Sequence, residues 1–308
     1  MDIKDIRKIL ILGAGTMGQQ IGLLCAFHGY DVVIYDLKQD ILDNAYSRIQ
    51  KRADKWVLAN QFPPEKKEPA LRRITMTDNL DKAAEGVDLI SESVPEDPEL
   101  KGGIFHEFHK RCKRETIFTT NTSSLLPSMF ANKSGRPDRL CALHFHDISI
   151  TNIVDVMPHA DTSPDVTELV TSFARAIGQI PIVLKRENNG YVFNNMLMAL
   201  MDSALSMASH GIAPIEEIDR SWMGIMHTLI GPFGIMDSIG LDTVWKVTDY
   251  WARQLNNGKA ITNAAFVKKY VDEGKLGLKS GHGFYGYPEP AYARPDFISG
   301  ISHSSEEK

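Results

Sequence analysis

Cysteine is scarce in this sequence, with three residues in 308. Cys25, Cys112 and Cys141 are far apart and stand in apolar or helical contexts, which favours neither a disulfide framework nor a zinc site. A reducing compartment is therefore expected. The charged first residues also lack the apolar segment and small-residue cleavage site of a signal peptide, so we expect a cytoplasmic protein.

Long runs of lysine and arginine are absent as well, and the formal net charge is −5. Such a chain offers no basic field to a nucleic-acid backbone. The most apolar long stretch, residues 191–208, contains Asn194, Asn195 and Asp202, which predicts a buried helix and not a membrane span. We therefore expect a small molecule as the partner, without nucleic acid or membrane.

The first part of the chain alternates short β-branched runs with amphipathic stretches, as parallel strands joined by crossover helices do. The predicted fold class is α/β: a Rossmann-type, doubly wound, mostly parallel sheet with a second, all-helical C-terminal domain. The predicted strands are residues 8–12, 31–35, 74–76, 87–91, 116–119, 139–143, 153–157 and 180–184. A long helix is predicted over residues 39–60, and the proline-containing connection 61–73 is predicted to be a surface loop.

The composition changes from strand-bearing to helical near residue 187, which predicts domains over 1–186 and 187–290 and a flexible tail over 291–308. Glycine and proline predict helix breaks at 211–214, 231–232 and 274–277. The stretch 191–208 is apolar on nearly all sides and needs more cover than a domain of about 100 residues offers. We therefore expect a homodimer through the C-terminal helices.

A glycine motif, Gly13-Ala14-Gly15-Thr16-Met17-Gly18, directly follows the first predicted strand and opens a helix. In a dinucleotide-binding turn, the glycines permit the tight turn, the approach of a pyrophosphate and close helix-to-strand packing, while amides at the helix start face the phosphates. Asp36 ends the next strand, where a carboxylate accepts hydrogen bonds from a ribose and repels a 2′-phosphate. NAD is therefore favoured over NADP, with FAD as the main competitor.

Two polar segments also follow predicted strands: Asn121-Thr122-Ser123-Ser124 and Leu143-His144-Phe145-His146-Asp147. Open α/β sheets bind ligands at the carboxyl ends of their strands. Oxidation of a secondary alcohol needs a base for the hydroxyl proton, and imidazole suits both directions near neutral pH. Asp155 could hold the second ring nitrogen of His144, so the sequence predicts a His–Asp pair, with a merely packed histidine as the alternative.

His146 and Asp147 allow a different interpretation, because two histidines two residues apart followed by an acid can bind a metal. Alternate side chains of an extended segment share a face only while the strand continues, and the sequence offers no further ligand cluster. We therefore predict no metal, and we place His146 in the lining of a substrate pocket.

Taken together, these motifs resemble the 3-hydroxyacyl-CoA dehydrogenase family over almost the whole chain. The segments that carry the resemblance are GAGTMG at 13–18, VPE at 94–96 with Lys101, NTSS at 121–124, LHF at 143–145, VDV at 154–156, GYVFNN at 190–195, GPFGIMDSIGLD at 231–242 and GLKSGHGFYGY at 277–287.

The resemblance implies an NAD-dependent dehydrogenase with His144 as general base and Asp155 as its carboxylate partner. Ser123 and Asn194 are then hydrogen-bond donors to the reacting oxygen. The positions that it assigns to the dinucleotide, besides the glycine motif and Asp36, are Glu96, Lys101, Asn121, Ser123 and Lys279. The implied reaction interconverts a short L-3-hydroxyacyl-CoA, of the 3-hydroxybutyryl-CoA type, and the 3-ketoacyl-CoA, as in fatty acid metabolism.

The sequence also departs from the family pattern. The family usually reads HFFNP where this chain has HFHDI, and Asp155 replaces a glutamate with one residue fewer between the pair. Family contacts to CoA fall on Arg52 and Ala59. An alternative substrate is therefore a 3-keto, 3-hydroxy or 3,5-diketo acid or ester without CoA, as in a diketoreductase or gulonate-dehydrogenase-like branch. A second alternative is a catalytically silent, NAD-binding or crystallin-like structural protein.

Overall fold

The structure is a computed structural model that describes residues 1–254 and 258–300. The chain divides into two compact units, Met1–Phe193 and Asn194–Lys308. The predicted tail lies outside the described residues from 301 onward; before that point, Ala291–Ala293 form a 3₁₀ turn and Phe297 is buried. In the described ranges, no helix has the length and apolar character needed to cross a membrane.

A single sheet organises the first unit. Its strands are β1 Lys8–Leu12, β2 Asp31–Tyr35, β3 Ile74–Thr77, β4 Leu89–Glu92, β5 Ile117–Thr120, β6 Leu140–Phe145, β7 Ile153–Pro158 and β8 Ile180–Val183. Their order is β3-β2-β1-β4-β5-β6-β7-β8. Neighbouring strands are parallel except β6 and β7, which are antiparallel. The predicted doubly wound, mostly parallel sheet is confirmed, and each predicted strand is present with its ends moved by at most two residues.

Helices cover both faces of this sheet, and β1 illustrates why. The helices are α1 Thr16–Phe27, α2 Gln39–Leu58, α3 Lys67–Arg72, α4 Leu80–Ala84, α5 Pro98–His109, α6 Ser128–Ser134 and α7 Pro164–Ala176. Ile9 and Ile11 pack into the core beside α1, α2 and α7, whereas Leu10 and Leu12 pack into a second core beside α5 and α6. Alternate residues of a strand face opposite sides, so a strand buried on both faces is a continuous apolar run.

The connection 61–73 was wrongly predicted to be a loop, because it contains α3 after a 3₁₀ turn at Pro64–Lys66. Ala70 and Leu71 of α3 are buried and join the core beside α1 and α2. Proline is tolerated in a first helical turn because the N–H that it lacks would have no partner within the helix. Burial of this apolar pair outweighs the proline signal.

The second unit is helical among its described residues, as predicted. Its helices are α8 Phe193–Ser209, which begins at the last residue of the first unit, α9 Ile215–Met226, α10 Pro232–Ile239, α11 Leu241–Gln254 and α12 Gly258–Asp272. The breaks between helices include the predicted glycine and proline positions. Buried Asp219 of α9 accepts hydrogen bonds from the backbone N–H groups of Phe233 and Gly234, 2.9 and 3.1 Å away, and so anchors the start of α10.

Candidate active site

The antiparallel pairing of β6 and β7 brings His144 and Asp155 together. The two residues are direct partners in the register, so their side chains stand on the same face of the sheet. His144 Nδ1 lies 3.2 Å from Asp155 Oδ2, and the side chains are only 4% and 2% exposed. The turn between the strands is fixed by the Asp147 carboxylate, which accepts from the backbone N–H and the hydroxyl of Ser149 at 2.9 and 2.6 Å.

Hydrogen bonding defines the tautomer of His144. An ionised carboxylate only accepts, so Nδ1 of His144 carries the hydrogen and donates it to Asp155. Nε2 of the neutral ring then presents a lone pair, and the Ser123 hydroxyl, 3.1 Å away, donates to it. Burial lowers the pKa of His144, while the hydrogen bond to Asp155 opposes this shift. The ring is therefore held as a neutral base with its acceptor nitrogen toward Ser123.

Glu96 and Lys101 lie behind Ser123. Glu96 Oε1 accepts from the backbone N–H of Ser123 at 2.7 Å, and its carboxylate accepts from the Thr122 hydroxyl at 2.8 Å. Lys101 Nζ lies 3.3 Å from Glu96 and 2.6 Å from Glu92, which is fully buried. Burial alone would raise the pKa of Glu96, but Lys101 and these hydrogen bonds outweigh it and lower the pKa. An anionic Glu96 thus fixes the turn that carries Ser123.

Two further contacts tie this site together. Asn121 Oδ1 accepts from the backbone N–H of Phe145 at 2.7 Å and links the ends of β5 and β6. The ring of Tyr191 stacks on His144 with centroids 4.5 Å apart, and its hydroxyl donates to the carbonyl of Thr122 at 2.7 Å. Sequence reasoning missed Tyr191 and Glu92. Their signals were the tyrosine within GYVFNN and an acid at the end of a predicted buried strand.

His146 is closer to the pair than the sequence indicated. Its Nε2 lies 3.2 Å from Oδ2 of Asp155, the same atom that His144 contacts, and the two imidazole rings meet edge-on at 4.7 Å. The ring of Phe193 also meets the His146 ring edge-on, with ring centroids 5.8 Å apart. The two ring nitrogens and the carboxylate oxygen lie within 4.8 Å of one another. Two hydrogen bonds to one carboxylate oxygen account for this arrangement.

The glycine turn fits a bound dinucleotide. Gly13 has a φ of +98°, and a Cβ there would lie 2.7 Å from the carbonyl oxygen of Ser93. A Cβ on Gly18 would lie 2.0 Å from the oxygen of Gly13, so this glycine permits the helix to pack on the turn. At Gly15, by contrast, no atom lies within 4 Å of such a Cβ. Gly15 thus leaves backbone open to a ligand, as a pyrophosphate requires.

The start of α1 has the charge distribution that a phosphate needs. Thr16 and Met17 are the first two residues of its first turn, which has neither a side-chain cap nor an acidic residue. Such a helix start favours an anion through its free N–H groups and its dipole. Asp36 lies beside the turn, where Oδ2 accepts from the backbone N–H of Ala14 at 2.8 Å. That bond holds the carboxylate at the end of β2, the place from which a ribose is bound in this fold.

Two predicted site residues lie in the second unit. Asn194 is a half-buried residue in the first turn of α8. Lys279 is exposed in the 3₁₀ turn Leu278–Ser280 and forms an ion pair with Asp242. The first unit alone therefore contains the assembled Ser123–His144–Asp155 group, the glycine turn and Asp36.

Comparison with known families matches both parts of the chain. The family model described as 3-hydroxyacyl-CoA dehydrogenase, NAD binding domain, matches residues 8–187. The model described as 3-hydroxyacyl-CoA dehydrogenase, C-terminal domain, matches residues 190–287. A probable 3-hydroxybutyryl-CoA dehydrogenase of Deinococcus radiodurans is 32% identical over 91% of this chain and 100% of its own.

Similar solved structures include two enzymes whose names give different substrates. A diketoreductase, solved in a study of dicarbonyl compounds, is 38% identical with a TM-score of 0.85 and covers 92% of this chain and 99% of its own. A (S)-3-hydroxybutyryl-CoA dehydrogenase of Ralstonia eutropha is 28% identical with a TM-score of 0.83 and covers 92% of this chain and 100% of its own.

Proposed function

The chain belongs to the 3-hydroxyacyl-CoA dehydrogenase family, and we propose that it interconverts a short L-3-hydroxyacyl-CoA and the corresponding 3-ketoacyl-CoA. It is an NAD-dependent oxidoreductase whose first unit is the NAD-binding domain. The observation that carries the proposed chemistry is the chain of hydrogen bonds from Ser123 through His144 to Asp155. Relatives named 3-hydroxybutyryl-CoA dehydrogenase support the short acyl chain.

In the proposed oxidation, His144 Nε2 takes the proton of the substrate hydroxyl. The Ser123 hydroxyl donates to that nitrogen in the structure, and we propose that it turns to donate to the reacting oxygen, together with Asn194. Asp155 stabilises the resulting imidazolium through Nδ1. Bound NAD supplies the hydride acceptor for the alcohol carbon. In reduction, His144 returns the same proton to the oxygen of the ketone.

We assign the dinucleotide to the glycine turn, with its pyrophosphate at Gly15, Thr16 and Met17 and its adenosine ribose at Asp36. The open space at Gly15 and the uncapped start of α1 support this placement. The remaining proposed contacts, taken from the family resemblance, are Glu96, Lys101, Asn121, Ser123 and Lys279.

The second candidate function is oxidation or reduction of a 3-keto or 3,5-diketo acid or ester without CoA. The diketoreductase at 38% identity favours it. So does the end of α2, because Arg52 and Ala59 occupy the positions of the family contacts to CoA. Ala59 is the exposed residue that ends the helix, and it brings no charge to a CoA phosphate.

An NADH oxidation assay separates these functions. We expect a higher kcat/KM with acetoacetyl-CoA than with acetoacetate or a 3,5-diketo ester. We also expect His144→Ala to lose orders of magnitude in turnover while it retains its affinity for NADH. His210→Ala, at an exposed histidine of the second unit, is the matched control. A preference for the free keto compounds would favour the second candidate, and NADH binding without turnover of any of them would favour a structural protein.

We also propose that two copies associate through the C-terminal helices. Ala204 and Leu205 are the buried residues of α8, whereas its Phe193 and Met196 are 53% and 60% exposed. Light scattering on the native protein should give the mass of a dimer, and Met196→Glu should shift it toward the monomer. A native monomer at micromolar concentration would contradict this proposal.

A further inference from the structure

His146 has a partner that the family pattern does not provide. Its position corresponds to the second phenylalanine of HFFNP, a side chain that can neither donate nor accept a strong hydrogen bond. In this chain, His146 Nε2 lies 3.2 Å from Asp155 Oδ2, and the His146 side chain is only 19% exposed. The same oxygen is 3.2 Å from Nδ1 of His144.

The chemistry of the carboxylate determines what each ring does. Burial alone would raise the pKa of Asp155, but hydrogen bonds from both histidines outweigh it and lower the pKa. Asp155 is therefore ionised and accepts from two N–H groups at once. A donor that binds a carboxylate neutralises part of its charge, and less charge is then left to stabilise a cation on a second donor. His146 thus competes with His144 for the negative charge of Asp155.

We propose that His146 is a positioning residue that shares Oδ2 of Asp155. It holds the carboxylate in place and reduces the stabilisation that the carboxylate gives to protonated His144. This inference rests on the proposed function, in which His144 is the base. The consequence is that His144 stays neutral, and ready to accept the hydroxyl proton, at lower pH than in a chain with phenylalanine at position 146.

The other groups around His144 do not cancel the effect of His146 on its titration. Glu96 is a second carboxylate whose charge favours protonated His144, but it is paired with Lys101. Tyr191 stacks on the ring with its hydroxyl bonded to Thr122. Burial lowers the pKa of His144, Asp155 opposes that shift, and His146 acts in the same direction as burial. His146 is therefore the neighbour whose removal should shift the titration of His144 upward.

The test compares donor-free and donor-retaining side chains at position 146. His146→Phe removes the N–H, whereas His146→Gln places an amide N–H near the position of Nε2. The side-chain NMR titration of His144 is followed in the ligand-free protein and assigned with His144→Gln. We expect His146→Phe to raise the titration midpoint by about 0.5 to 1 pH unit and His146→Gln to stay near the native value. His210→Phe is the control and should leave the midpoint unchanged.

A second readout is the pH profile of kcat/KM for oxidation, whose acid limb should move upward by the same amount in His146→Phe. His146→Leu serves as a second donor-free variant should the bulk of phenylalanine disturb folding, which the melting temperature reports. An unchanged midpoint in both donor-free variants, or an equal shift in His146→Gln, would overturn the proposal. So would one tightly bound zinc per chain whose removal shifts the titration, because both nitrogens would then be ligands and not donors.

The two proposals fail in different ways. The NMR midpoint does not depend on turnover, so a shift in His146→Phe together with near-native activity of His144→Ala would refute His144 as the base and leave the shared carboxylate standing. Loss of activity in His144→Ala without any shift in the donor-free variants would support His144 as the base and refute the shared carboxylate.

Discussion

Replacement of Asp155 by asparagine tests the centre of the site, because it removes one charge and changes the shape of the side chain little. The native carboxylate is 2% exposed and lies 3.2 Å from Nδ1 of His144. The amide oxygen of the introduced asparagine can still accept from neutral His144. What it cannot supply is the negative charge that stabilises the imidazolium formed as the hydroxyl proton is transferred.

The size of the effect follows from the contact that changes. A hydrogen bond to a charged group contributes about 1.5 to 3 kcal/mol. Because about 1.4 kcal/mol corresponds to one factor of ten, kcat/KM should fall about 10- to 150-fold. The loss should appear mainly in kcat, since the charge is needed as the proton moves and not when substrate binds. Loss of the carboxylate should also lower the pKa of His144, so the acid limb of the profile moves to lower pH, opposite to His146→Phe.

The assay is steady-state oxidation of 3-hydroxybutyryl-CoA by NAD over a range of pH, with Asp155→Glu as the matched control. Glutamate retains the charge and is the usual family residue, so its loss should be smaller than that of asparagine. Near-native kcat in Asp155→Asn, or an acid limb displaced upward, would refute the assignment of Asp155 as the partner of the base. An equal loss in both variants would show that geometry, and not charge, limits the reaction.

Further predictions concern the cofactor turn and the second unit. Gly15→Ala should retain the melting temperature, since its Cβ meets no atom within 4 Å, but weaken NADH binding at least about tenfold in a fluorescence titration. Asp36→Asn should weaken NAD binding and reduce the preference for NAD over NADP. In the second unit, burial raises the pKa of Asp219 from 3.8 to about 6. The folded state therefore holds a proton that the unfolded chain has lost, and the free energy of unfolding should fall by about 2 kcal/mol between pH 4 and 6. Denaturation of Asp219→Asn should lack that slope; an unchanged slope would exclude Asp219 as its source.

The fold was largely predictable because short runs rich in β-branched residues alternate with amphipathic stretches along the first unit. That pattern does not give the direction of β7, but the length of the connection before β7 does. Residues 146–152 join β6 to β7, and a connection between parallel strands needs about a dozen residues or more. The α3 helix was missed for the opposite reason: local proline and charge indicated a loop, whereas the burial of Ala70 and Leu71 that decides the outcome is a tertiary effect.

The site was predictable as far as chemistry demands particular residue types at strand ends. The contact between His146 and Asp155 could not be predicted in this way. Alternate side chains are expected to share a face only within a strand, and β6 ends at Phe145. The structure shows that an imidazole one residue past the end still reaches Asp155. A rule about Cβ directions says little about a ring nitrogen several bonds further out.

The register of β6 and β7 relates three departures from the family pattern: the shorter connection, the aspartate at position 155 and the histidine at position 146. Direct pairing of His144 with Asp155 across β6 and β7 leaves a short gap that an aspartate spans. The same short side chain keeps Oδ2 near the strand ends, within reach of His146. The shorter hairpin, the shorter acid and the second histidine are therefore consistent with one arrangement, in which a single carboxylate oxygen serves two imidazoles.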